Sequence, residues 1–121
     1  MFTITIETQF KASHSVMTAD GKSEPEHEHF WAVAMEIGAD KLNDRGMAVD
    51  FGKLKAQLNN ITSQLSGSSL NGVEYFRKTS ATAESVAEYI FNKLEKQLGQ
   101  GVQLEGVTVS EQVGCSAKYH K

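Results

Sequence analysis

The sequence predicts an α+β domain, an antiparallel sheet packed on a pair of helices, in the order β-β-α-α-β-β. Three observations predict it. Apolar residues alternate with polar ones near both ends of the chain, two stretches of helical spacing lie consecutively between them, and the 121 residues suffice for one core. We therefore expect residues 1–121 to form a single domain.

The first strand is read from Phe2, Ile4, Ile6, Thr8 and Phe10, which share one face while Thr3, Thr5, Glu7 and Gln9 fill the other. Residues 11–26, KASHSVMTADGKSEPE, are polar and contain a Gly and the chain's only Pro, so a long loop is expected. Period two returns from His27 to about Gly38. His27, His29, Trp31, Val33, Met35 and Ile37 lie on one side, with Glu28, Phe30, Ala32, Ala34 and Glu36 on the other. This second strand is expected to run antiparallel to the first.

Asp50 is a good N-cap for a helix carrying Phe51, Leu54, Leu58, Ile61 and Leu65, which ends in SGSS at 66–69. A second helix should start at Thr82, with Glu84 complementing its N-terminal dipole. Its stripe is Val86, Ala87, Ile90, Phe91, Leu94 and Leu98, and Gly99 and Gly101 stop it. In VQLEGVTVSEQ the apolar parity shifts between Leu104 and Val107, which predicts a bulged strand around Gly106. A last short strand includes Ala117 to Tyr119. Such a sheet has two edges that need pairing or cover, so self-association through them is expected.

Composition narrows the function classes. Hydrophobic residues make up 40% and charged residues 22%, as in ordinary globular proteins. The formal charge is −3 and the lysines are scattered, so no stripe suits a phosphate backbone and no nucleic-acid partner is expected. Apolar runs are too short for a bilayer, and MFTITIETQF lacks the pattern of a signal peptide, so a cytoplasmic location is expected. The lone Cys115 cannot form an intrachain disulfide and reads as an incidental side chain. His120 reads as a frayed terminal residue.

The stretch EPEHEHFW, 24–31, carries the chemistry. Residues two apart on a strand point to the same side, so the imidazoles of His27 and His29 can converge on one ion. In a hairpin of the first two strands His14 comes level with His27 and supplies a third nitrogen. Three nitrogens with one open position is the catalytic zinc arrangement. Spacing alone leaves a second reading open, in which these histidines are hydrogen-bonded residues at the rim of a sheet. Glu24, Glu26 and Glu28 read as hydrogen-bonding partners of the ligands or as a solvated acidic loop; Glu28 lies on the opposite strand face.

Taken in order, FKASHS with His14, the pair His27 and His29, GMAVDFGKLK at 46–55, LN at 70 and 71, TAESVAEYI at 82–90 and Glu111 of VSEQ resemble the 6-pyruvoyl-tetrahydropterin synthase and 6-carboxytetrahydropterin synthase family. The resemblance spans nearly the whole chain. It implies the tunnelling fold, whose subunits join through strand edges into barrel-like trimers that stack into hexamers. It also implies Zn2+ on His14, His27 and His29, and a pterin site between subunits in which Glu111 holds the amino-pyrimidine end. Thr82 and Glu84 would line that pocket, although capping by itself accounts for both. The family's chemistry is lyase chemistry on dihydroneopterin triphosphate: triphosphate elimination or, in the carboxy-forming branch that leads to queuosine, side-chain cleavage.

The chain departs from the family pattern at its proton-handling positions. The usual cysteine four residues before the first paired histidine is Ser23, the glycine between the histidines is Glu28, and an ungapped alignment of LSGSSLN puts Ser66 and Gly67 where an Asp-His pair is usual. Serine is a poor base without an activator and glycine has no side chain. Some branches use a glutamate near the cysteine position, so Glu24 and Glu26 are the candidate catalytic bases. Three readings follow: an active zinc enzyme of the family with Glu24 or Glu26 as base, giving the usual product or a different one, a zinc-containing pterin-binding module with little turnover, or a scaffold in which zinc ties the long loop to the sheet.

Overall fold

The computed structural model describes residues 1–99 and 101–121. Four strands, β1 (Phe2–His14), β2 (His27–Ala39), β3 (Gln103–Gln112) and β4 (Cys115–Tyr119), form one antiparallel sheet in the order β1-β2-β3-β4. The helices α1 (Phe51–Ser63) and α3 (Ala83–Gln97) pack on one face, joined through a 3₁₀ turn (Leu70–Gly72) and a short helix α2 (Glu74–Thr79). The expected α+β architecture is thus present, with α2 and the 3₁₀ turn added between the two long helices. Six residues are too few for apolar period 3.6 to show, which is why α2 left no readable pattern.

The first strand continues past Phe10 to His14, where the polar run at 11–14 suggested a loop. Period two persists through that run: Ala12 and His14 are buried on the same side as Phe10, because their partners across the ladder are His29 and His27. On β3 the predicted bulge is found, with Gly106 opposite Glu36 and Leu104 opposite Ile37. It lets both Leu104 and Val107 reach the core.

The core lies between the sheet and the two long helices. Trp31, Val33, Met35, Ile37, Val107 and Val109 are buried from the sheet, and Leu58, Ile61, Val86, Ile90, Phe91 and Leu94 from the helices. Burial of one such side chain is worth about 1.5–3 kcal/mol. Asp50 caps α1 by accepting from the N–H groups of Gly52 and Lys53, and Thr82 caps α3 by accepting from Ser85. The opposite sheet face is open, with Phe30 67% exposed. Cys115 and His120 are exposed. Among the described residues no helix is long and apolar enough to cross a membrane.

Candidate metal centre

The β1–β2 register sets His14 directly opposite His27, and alternation places His29 on the same side as both. One ring nitrogen of each histidine lies within 4.8 Å of the others. The rings meet edge to face, with centroids 4.6 Å apart for His14 and His27 and 4.5 Å apart for His27 and His29. Trp31 forms the floor: its indole stands edge-on to His14 at 4.8 Å, and its N–H donates to the Ala12 carbonyl at 3.1 Å.

Carbonyl partners fix which nitrogens are free. Nδ1 of His14 is 2.7 Å from the Ala81 carbonyl and Nδ1 of His27 is 3.0 Å from the Pro25 carbonyl. A carbonyl only accepts, so each Nδ1 carries the proton and, in the neutral ring, each Nε2 presents a lone pair. Those two Nε2 atoms stand 3.1 Å apart. Two ligands about 2.0–2.1 Å from a tetrahedral zinc are about 3.3 Å from each other, so the spacing suits such an ion.

A carboxylate joins them. Oε2 of Glu111 lies 3.2 Å from Nε2 of His14 and is itself buried without a hydrogen-bond donor. Glu111 is the extra residue of a second bulge on β3, where pairing shifts between Ser110 and Gln112. Bulges often re-aim a side chain in this way. Three acceptors therefore converge with no donor among them when the rings are neutral. A proton on one ring relieves one pair; a cation held by the imidazole nitrogens would satisfy both rings and place positive charge beside the Glu111 carboxylate. Imidazole nitrogens are donors that zinc accepts.

The electrostatics of His29 favour a neutral ring. Burial, then the neighbouring His27, push it below the ordinary imidazole range, against the pull of Glu111.

The remaining residues singled out in the sequence take distinct places. Oε1 of Glu24 is 3.7 Å from Nε2 of His27 and accepts from the Val16 N–H at 3.2 Å. Glu26 is engaged instead by the Ser69 hydroxyl. Glu28 points to the other face and pairs with Lys11 at 3.2 Å. Thr82 and Glu84 occupy the first turn of α3, where the Thr82 hydroxyl is taken up in capping and Glu84 is exposed.

Ser23 is exposed in the loop, bridged to Met17. Gly67 has φ 76° and its N–H donates to the Lys11 carbonyl at 2.7 Å, so a histidine at that place would sit in a conformation that suits glycine. The Ala81 and Pro25 carbonyls were not foreseen. They are backbone groups, and no residue type announces them.

Comparison with known proteins bears on the family and the fold. Residues 3–121 match the family described as 6-pyruvoyl tetrahydropterin synthase. A Synechocystis protein named 6-carboxy-5,6,7,8-tetrahydropterin synthase is 32% identical over 127 residues, 98% of this chain and 93% of that one. A Caenorhabditis elegans protein named putative 6-pyruvoyl tetrahydrobiopterin synthase is 31% identical over 86 residues, 70% of this chain but only 60% of its relative's length. Among solved structures, 6-pyruvoyl tetrahydropterin synthase from C. elegans superposes with a TM-score of 0.83 at 22% identity, covering 99% of this chain and 95% of that one. A Plasmodium vivax 6-pyruvoyltetrahydropterin synthase in which a catalytic glutamate is replaced by alanine gives 0.79 at 19% identity, covering 99% and 97%. These likenesses share the fold described above.

Proposed function

The chain belongs to the 6-pyruvoyl tetrahydropterin synthase family, and from that premise we propose a zinc-dependent pterin lyase acting on dihydroneopterin triphosphate or a close relative. The observation that carries the reading is the convergence of His14, His27 and His29 within 4.8 Å, with Glu111 beside them. A scaffold zinc needs no additional carboxylate; a pterin site does.

His14, His27 and His29 would hold the ion, and the Ala81 and Pro25 carbonyls keep two of the three rings in the ligating tautomer. When bound, zinc supplies Lewis acidity that lowers the pKa of oxygen atoms it carries. In this reading the Glu111 carboxylate accepts hydrogen bonds from the ring amide and amino group of a pterin. Glu24 is the better placed of the two candidate bases: its carboxylate already lies by His27, whereas Glu26 is held by Ser69. In this role Glu24 removes a proton at a side-chain carbon of the substrate. A glutamate is likewise a catalytic residue in the P. vivax relative.

Assembly completes the reading. Residues 67–69 lie along the end of β1 near His14, through bonds from Ser13 to Ser68 and from Gly67 to Lys11. Among the described residues no strand pairs with the rest of the β1 edge or with the outer edge of β4, and in this reading those edges join copies in a trimer or a stacked hexamer. The relative named for a 6-carboxy product favours the carboxy-forming branch of the family for the product.

The absence of the cysteine and the Asp-His pair, with Ser23, Ser66 and Gly67 in their places, favours one second reading: a pterin-binding protein with little turnover. Mass-spectrometric product analysis separates the two. Zinc-loaded protein is incubated with dihydroneopterin triphosphate, with His27→Ala as control. A new pterin absent from the control supports the lyase, and its mass identifies elimination or side-chain cleavage. Bound but unchanged substrate supports the binding protein instead.

A further inference from the structure

Ser80 has φ 88° and ψ 151°, and among the described residues it is the one non-glycine with positive φ. That combination is almost confined to glycine, and such residues persist only where their surroundings over-determine them. Here they do. The Ser80 N–H donates to the Phe76 carbonyl at 2.9 Å, closing α2, and its carbonyl accepts from the Thr79 hydroxyl at 3.3 Å. The next residue, Ala81, is wholly buried, and Thr82 after it is the cap of α3.

What the forced turn delivers is the Ala81 carbonyl, 2.7 Å from Nδ1 of His14. His14 is itself 1% exposed, so no water competes for that proton. An ordinary negative φ at residue 80 would redirect the chain entering Ala81 and carry its carbonyl off the ring. His14 would then be free to protonate on Nε2, the atom facing His27 and Glu111.

We infer that the Ser80 turn is the positioning element of the metal centre: its strained backbone aims the Ala81 carbonyl at His14 and thereby keeps Nε2 unprotonated toward the other ligands. Ser80 touches neither the ion nor a substrate; it acts through Ala81 and His14. The inference rests on the metal-centre reading above. It also links the first turn of α3, where Thr82 and Glu84 lie, to the metal centre through a single residue.

The test compares wild type with Ser80→Gly and Ser80→Val. Zinc affinity is read by competition with a chromogenic chelator, and the His14 tautomer by proton–nitrogen NMR of the imidazoles. Glycine adopts the turn freely, whereas a β-branched side chain is disfavoured at positive φ. We expect Ser80→Gly to bind zinc within about twofold of wild type and Ser80→Val to lose about 10–100-fold, the range for removing a partner of a metal-bound histidine. The Nδ1-proton signal of His14 should persist in the first variant and vanish in the second.

Wild-type affinity in Ser80→Val with the Nδ1 proton in place would overturn the inference. So would an Nε2-protonated His14 in the metal-free wild type, a measurement that decides the matter even if the valine variant does not fold. Should wild type bind no zinc while His14 keeps its Nδ1 proton only when residue 80 is Ser or Gly, the metal reading fails and the positioning role stands.

Discussion

His14 and His27 face each other across the β1–β2 ladder with their Nε2 atoms 3.1 Å apart, while each Nδ1 is committed to a backbone carbonyl. Neutral, neither ring can donate to the other. A ring nitrogen of His29 lies within 4.8 Å of theirs and Glu111 stands 3.2 Å from His14, the arrangement on which the proposed zinc rests.

Removing a ligand should empty the centre without unfolding the sheet where the ring is partly exposed. His27→Ala is expected to lose zinc affinity by at least about 100-fold, beyond what loss of a ligand's partner costs, with little change in Tm of the metal-free protein. His14→Ala should lose both zinc affinity and metal-free stability, since His14 is fully buried and its loss orphans the Ala81 carbonyl. Chelator competition and thermal melts in EDTA check this.

The metal-free protein should lose stability as pH falls from neutral. The folded-state pKa of His29 lies below its ordinary 6.5 because of burial and His27. Above 6.5 both folded and unfolded forms are neutral. As pH drops through that value the unfolded chain takes a proton that the folded one resists, so stability falls until the folded pKa is passed. Denaturant titrations in EDTA across this range should show a smaller fall for His29→Gln. Zinc affinity should decline with pH as well, since every ligand must be neutral.

The two carboxylates should separate by phenotype. Glu24→Gln is expected to keep zinc and pterin binding while turnover drops by about 10²–10⁴, the usual worth of a general base. Glu111→Ala is expected to weaken pterin binding by about 10–100-fold, from loss of hydrogen bonds to a charged group worth about 1.5–3 kcal/mol. Isothermal titration with a pterin, alongside single-turnover kinetics, tells them apart.

Thr82 is a cap before it is anything else. Thr82→Ala should cost about 1 kcal/mol of stability and Thr82→Ser very little, because a serine hydroxyl still reaches Ser85. Equilibrium urea unfolding measures this, and pterin affinity of the serine variant reports on any contact the Thr82 methyl makes.

Much of this was legible in the chain. The alternation in β2, the caps at Asp50 and Thr82, the parity shift at Gly106 and the His27–His29 pair follow from rules that act within a few residues, while His14 joined them only through the expected hairpin. The end of β1 was missed because Lys11 and Ser13 made 11–14 read as loop, although Ala12 and His14 keep the period of Phe10. The 3₁₀ turn and α2 were too short to show a period. Ser80 and the Ala81 carbonyl were beyond reach for a different reason: an ordinary serine stands in a glycine-like turn held by its bonds to Phe76 and Thr79, and the group it aims belongs to the backbone.

The most direct test is zinc stoichiometry with X-ray absorption at the zinc edge on protein purified without added chelator. The account predicts one ion per chain, bound by three imidazole nitrogens at about 2.0–2.1 Å, with both signals lost in His27→Ala. A protein that takes up no zinc, or that holds it equally well in His27→Ala, would contradict it.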